Sequence, residues 1–200
     1  MYLFKEFKIE VAKEEHLIYA SQISAMIEQA AVDKMVGLAL RSAEYIAEKM
    51  KEQKAVIALC GEKLAGFCYI ELWGGKSFIA NSGLIVAKKY RKTGLAKEIK
   101  SYVFKYSRKN FPKAKIFGLT TNPAVMNINT SLGYKPVVYS DLTDDDKFWE
   151  GCSSCVNFDI LQRTGRLRCL CTAMLFDPLE FNIEDENKLS RQACLAHQEL

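Results

Sequence analysis

Two clusters in this 200-residue chain have residue types and spacings that can do chemistry. In the first, the apolar run Leu84, Ile85, Val86, Ala87 gives way to Lys88, Lys89, Tyr90, Arg91, Lys92 and Thr93, and then Gly94, Leu95 and Ala96 open an amphipathic stretch reaching about Lys109. That order reads as strand, turn, helix. The turn at 91–96 places successive backbone N–H groups at a helix start, where the first four have no intrahelical acceptor. Such donors suit an anion. Gly94 has no Cβ to hold a phosphate off the backbone, the helix dipole adds roughly 0.3–1 kcal/mol per favourable charge, and Arg91 and Lys92 raise the positive potential. The second cluster is Cys152-x-x-Cys155 followed by Cys169-x-Cys171. Four thiols are the ligand number of a structural zinc site, and on a strand Cys169 and Cys171 share a face about 6–7 Å apart at Cα. The first pair has knuckle spacing and the second does not, so structural zinc, buried thiols and a redox pair all stay open.

A phosphate turn needs a strand before it and a sheet around it. Residues 7–11 alternate apolar and polar and predict a strand; 13–31 carry Leu17, Ile18, Ile23, Met26, Ile27 and Ala30 at helical spacing, with His16 read as a surface residue in the first turn. An apolar break at 37–41 precedes Ser42, which suits the N-cap of a helix running to about residue 53. Strands at 55–60, 64–73 and 77–87, joined by turns at 61–63 and 74–76, predict an antiparallel meander. The next strand, 115–121, is reached through a helix and is therefore parallel to the one before it. Asn122 caps a helix at 124–132, Gly133 stops it, and 134–139 is a further strand. Asp144, Asp145 and Asp146 mark another helix start, and 169–176 reads as the final strand. Residues 182–200 form a polar tail with a weak helix, suited to packing on a partner subunit in a homodimer.

The formal charge is +4, and basic residues gather between Lys88 and Lys115, the footprint of an anionic partner. Nucleic acid is the competing reading, but few aromatics interleave these charges, and they flank the phosphate turn. No apolar run has signal-peptide length or approaches the roughly 20 residues of a membrane span, which predicts a cytoplasmic protein without a membrane partner. Seven cysteines, an odd count, fit reduced thiols there.

The pattern Arg91-x-x-Gly94-x-Ala96 after a strand resembles the pyrophosphate-binding signature of the GCN5-related N-acetyltransferases (GNAT). A second segment, Asn122-Pro123-Ala124 through Leu132-Gly133-Tyr134, stands at that family's usual separation. The resemblance covers about residues 7–139. It implies an α/β (α+β) GNAT fold, a mixed, mostly antiparallel sheet with splayed parallel strands flanked by helices. Residues 1–143 would form the acyl-CoA-binding core, and 144–200 a Cys-containing insertion, last strand and tail of the same domain. It implies acetyl-CoA or another acyl-CoA as co-substrate, held along the strand by Leu84, Ile85 and Val86, in the turn by Arg91, Lys92, Thr93, Gly94, Leu95 and Ala96, and near Asn122. The connection between the first two helices then walls the acceptor site. Arg41 there is a candidate partner for a substrate carboxylate, with a plain surface ion pair as the alternative.

Transfer from a thioester to an amine needs a neutral amine, an oxyanion donor and a proton for the leaving thiolate. A backbone N–H near Val86 is the expected oxyanion donor. The family resembled takes its base from a Glu near the start of the motif strand, but Ala80, Asn81, Ser82 and Gly83 offer no carboxylate. Glu71 on the preceding strand is the nearest replacement. The family's thiolate acid, a Tyr four residues before the helix-ending Gly, is Asn129 here, which can hydrogen-bond a thiolate but cannot give up a proton at neutral pH. Protonation then falls to water or to another Tyr, such as Tyr134. The expected function is an N-acyltransferase acting on the amine of a small metabolite, such as glutamate, with a protein amino group as acceptor or a catalytically silent CoA-binding module as alternatives.

Overall fold

The structure is a computed structural model that describes residues 6–34 and 38–181. Its sheet has seven strands: β1 (Lys8–Val11), β2 (Ala55–Cys60), β3 (Lys63–Trp73), β4 (Phe78–Val86), β5 (Lys115–Thr120), β6 (Lys135–Val137) and β7 (Thr172–Phe176), in the order β1-β2-β3-β4-β5-β7-β6. All neighbours are antiparallel except β4 and β5. The helices are α1 (Ala20–Lys34), α2 (Ala43–Lys51), α3 (Leu95–Asn110), α4 (Pro123–Ser131), α5 (Asp146–Glu150) and α6 (Phe158–Arg163). Among the described residues no helix is long and apolar enough to cross a membrane.

Strand alternation divides the core. Val56, Ala58, Cys68 and Ile70 pack with Ile99 and Val103 of α3, whereas Ile57, Leu59, Phe67 and Tyr69 pack with Ile23 and Ile27 of α1 and Ile46 of α2. Thus α3 covers one face and α1 with α2 the other. On α3, Leu95, Ile99 and Val103 recur every fourth residue, and the helix ends at Phe111, where the following Pro112 disfavours helical backbone. A third cluster joins Phe117, Leu175 and Trp149 beneath the C-terminal insertion.

The parallel pairing of β4 and β5 is short. It runs over Phe78–Lys115, Ile79–Ile116 and Ala80–Phe117 and then stops, although both strands continue. The cause lies in β4. Between the Phe67–Ile85 and Tyr69–Ser82 pairs, Gly83 and Leu84 stand opposite the single residue Cys68, a bulge that bends the strand. Gly83 has φ +67°, and an added Cβ would lie 2.2 Å from the Tyr69 ring, so only glycine fits.

Ser42 caps α2 by accepting from the Tyr45 N–H at 3.2 Å, and Asn122 caps α4 by accepting from the Ala124 N–H at 2.9 Å, as their positions predict. Two expectations need correction. His16 is buried, 4% exposed, because its Nδ1 accepts the Lys13 N–H at 3.0 Å at the start of the first helical turns. The last strand begins at Thr172, leaving Cys169 and Cys171 in the irregular approach to it. Residues 158–163, for which the sequence reading assigns no element, form α6, a short helix that buries Leu161. The tail at 182–200 and Gly37 lie outside the described residues.

Candidate active site

Where β4 and β5 part, a cleft of about 380 Å³ opens, within the size range of small-molecule sites. Ser82, Gly83, Leu84 and Ile85 form one wall, and Gly118, Leu119, Thr120, Thr121 and Asn122 the other. The facing edges of the two strands are unpaired with each other beyond Ala80, so their amide and carbonyl groups are available to an extended ligand, which would add itself as a strand. Asn122 sits at the cleft as the cap of α4. Val86 does not line it; its carbonyl instead accepts from Arg91 Nε at 3.1 Å.

That bond fastens the phosphate turn to the end of β4. In the turn Lys92 has φ +64° and Gly94 φ +89°, and Thr93 Oγ1 donates to the Tyr90 carbonyl at 2.8 Å. Left-handed residues interleaved in this way turn successive N–H groups into a concave nest for an anion. Among the described residues the N–H groups of Lys92, Thr93, Gly94, Leu95 and Ala96 make no backbone–backbone hydrogen bond. Arg91, Lys92, Thr93 and Gly94 are exposed, while Leu95 is buried and anchors the helix start. The turn read from the sequence is therefore present, with Arg91 acting as a tether as well as a charge.

At the opposite end of the cleft stand Arg41, Tyr69 and Glu71. Arg41 donates from Nε to Tyr69 Oη at 2.8 Å and from Nη1 to the carbonyls of Leu40 at 2.8 Å and Gly151 at 3.0 Å. Nη2 makes no hydrogen bond among the described residues. The Tyr45 hydroxyl donates to Glu71 Oε1 in a very short contact. Burial pushes the Tyr69 phenol up to about 12, assisted by the nearby Glu71 carboxylate and opposed by Arg41. Burial also drives the Tyr45 phenol up, with Tyr69 and Glu71 adding to it. Both phenols therefore stay protonated and serve as hydrogen-bonding groups. The loop bearing Arg41 is fixed by the C-terminal insertion, since the Leu40 N–H donates to Ser154 Oγ at 2.9 Å.

Cys152, Cys155 and Cys171 wall this end, and Cys169 lies against Cys171. Burial, then the neighbouring Cys155, pushes the Cys152 thiol up to about 11; burial and the three other thiols push Cys171 up to about 12. Among the described residues no group of three or more His, Cys, Asp or Glu side chains is placed to hold a metal ion. Structural zinc, one of the three readings left open for Cys152, Cys155, Cys169 and Cys171, is therefore not what the described residues form: Cys169 and Cys171 precede the strand on which they would have shared a face.

Of the two candidate thiolate acids, Asn129 lines the cleft and Tyr134 does not. Asn129 is 1% exposed; its Nδ2 faces Met174 Sδ at 3.7 Å and its Oδ1 has no partner. Tyr134 is equally buried, accepts from Asn81 Nδ2 at 3.1 Å, and is driven well above its ordinary pKa by desolvation. One cleft residue was missed. Lys100, counted among the surface charges, is 2% exposed and lines the cavity from α3. The available signal was its place one residue after Ile99 on the buried face of that helix.

The sequence matches no protein-family model and no curated protein. Solved structures do match. N-acetylglutamate synthase from Neisseria gonorrhoeae, complexed with coenzyme A and N-acetyl-glutamate, superposes with a TM-score of 0.62 at 14% identity over 86% of this chain. This chain spans 35% of the length of that synthase. Diaminobutyrate acetyltransferase from Paenibacillus lautus, in complex with L-2,4-diaminobutyric acid and coenzyme A, gives 0.60 at 11% identity over 90% of this chain and 99% of its own. A Mycobacterium tuberculosis protein in complex with CoA gives 0.59 at 13% identity over 85% and 98%. At these identities the likeness shows a shared fold, the one with a mixed sheet whose parallel strands part.

Proposed function

We propose that this chain, which has the fold of the GCN5-related N-acetyltransferases, is a member of that superfamily and works as an acyl-CoA-dependent N-acyltransferase on the amine of a small metabolite, an amino acid such as glutamate foremost. The observation that carries this reading is the continuity of the cleft. It runs along strand edges that are unpaired with each other, through the gap between β4 and β5, to a carboxylate and a guanidinium, and the amide-rich turn follows the end of β4 outside its lining. The turn suits the diphosphate of CoA, and the edges of β4 and β5 suit its amide-containing arm. In this arrangement the thioester lies near the bulge, where a backbone N–H would stabilise the oxyanion. Glu71 takes the proton of the attacking amine, and the Tyr45 hydroxyl holds that carboxylate in place. Arg41, committed through Nε and Nη1, offers Nη2 to a carboxylate on the acceptor. The synthase and the diaminobutyrate enzyme that share the fold are named for amino-acid acceptors, which favours that class over a protein amine.

The test is a thiol-release assay with acetyl-CoA and succinyl-CoA against the amino acids and simple amines. Turnover with an amino acid, and none with its carboxamide, is the expected result. CoA binding without release from any amine would leave the silent-module alternative in its place.

A further inference from the structure

We infer that the ammonium of Lys100 donates the proton to the thiolate that departs when the thioester is cleaved. This assignment rests on the acyltransferase reading above. Long cationic side chains are almost never fully buried without a partner. Lys100 is buried at the cleft, and among the described residues it has neither a carboxylate nor a hydrogen-bond acceptor; its Nζ lies 5.7 Å from the centre of the Tyr134 ring. The titratable groups beside it are Cys68 on β3 and Tyr134 after α4, both held protonated mainly by burial, so neither supplies a counter-charge. An unpaired cation in a cleft is prepared for an anion formed there.

Position decides which anion. Cys68 and Ile70 face α3, while Tyr69 faces α1 and α2, and Glu71 shares the parity of Tyr69. Lys100 and the base therefore stand on opposite faces of the sheet, joined by the gap between β4 and β5. Asn129, with its unpartnered Oδ1, lines the same cleft. An amine entering beside Glu71 and a sulfur leaving toward Lys100 fit this arrangement. Burial also lowers the pKa of Lys100 from its ordinary value, so its ammonium gives up a proton more readily than a solvated one.

In the step itself, the amine nitrogen forms a bond to the thioester carbonyl carbon, the carbon–sulfur bond breaks, and its electron pair goes to sulfur. A proton passes from Lys100 Nζ to sulfur, giving the CoA thiol and a neutral lysine. The extra proton of the amine goes to Glu71. Solvent returns one proton to Lys100 and removes one from Glu71, so the net reaction is acyl-CoA plus amine to amide plus thiol.

Two readouts test this on the full chain, with Lys100→Met and Lys100→Gln as paired variants. Methionine in place of an unpaired buried ammonium should leave the melting temperature unchanged or raise it. First, the thiol of bound CoA is titrated by thiolate absorbance, with desulfo-CoA complexes as the blank. The wild-type complex should form thiolate at least about one pH unit lower than either variant. Second, kcat with acetyl-CoA and the acceptor found above should fall about 10²-fold or more in both variants. The decline of wild-type kcat at high pH, where Lys100 loses its proton, should disappear with it. Variants that bind CoA with the wild-type thiol titration and pH profile overturn the Lys100 assignment and leave the acyltransferase reading standing. A wild-type protein that does not bind CoA overturns both.

Discussion

The turn at 91–96 and the β4 bulge offer main-chain groups, whereas the proposed acceptor end offers side chains at 41, 45, 69 and 71 that meet only in the folded molecule. The first region tolerates change in side chains but not in backbone shape. In the second, the backbone is ordinary and each side chain is held by another, as Arg41 is by Tyr69 and the Gly151 carbonyl. The two ends of one cleft should therefore fail in different ways.

Gly83→Ala should have the largest effect. The new Cβ meets the Tyr69 ring at a left-handed backbone position, so strain and overpacking together should cost about 3 kcal/mol, lowering the melting temperature by roughly 6–12 °C. CoA affinity and turnover should fall together, because the bulge opens the cleft. Glu71→Gln should separate them: kcat drops about 10²–10³-fold while CoA affinity measured by calorimetry stays at the wild-type value. Arg41→Met should act more narrowly still, raising KM for a carboxylate-bearing acceptor about 10–100-fold with a smaller change in KM for acetyl-CoA. If Glu71→Gln instead weakens CoA binding as much as Gly83→Ala does, the two ends are not the separate devices described here.

The same division explains what could be read from the sequence. The turn was visible because its signal is local: an apolar strand, a basic turn and Gly94 fall within thirteen positions, 84–96. The caps at Ser42 and Asn122 were visible for the same reason. Glu71 and Arg41 could be named as candidates but not joined, since their link runs through Tyr45 and Tyr69 and depends on strand parity and on a loop pinned by Ser154. The bulge at Gly83 escaped notice because the Tyr69 ring that restricts this position to glycine lies on the neighbouring strand. Lys100 was hidden by its own charge. A lysine among lysines reads as solvated surface, and only the packing of α3 shows it to be inside. The cysteine cluster could not be decided from its spacing, since the strand needed to align Cys169 with Cys171 begins only at Thr172.

The most direct test of the account is calorimetry of CoA binding to the wild-type protein and to Gly94→Val. At Gly94 an added Cβ meets open space, so the main cost of the substitution is the strain of a β-branched residue at φ +89°, about 1–3 kcal/mol, and the melting temperature of the variant is measured alongside. The account predicts binding by the wild type and at least about tenfold weaker binding by the variant, a loss of about 1.4 kcal/mol. No heat with the wild type, or equal affinity for both proteins, would contradict it.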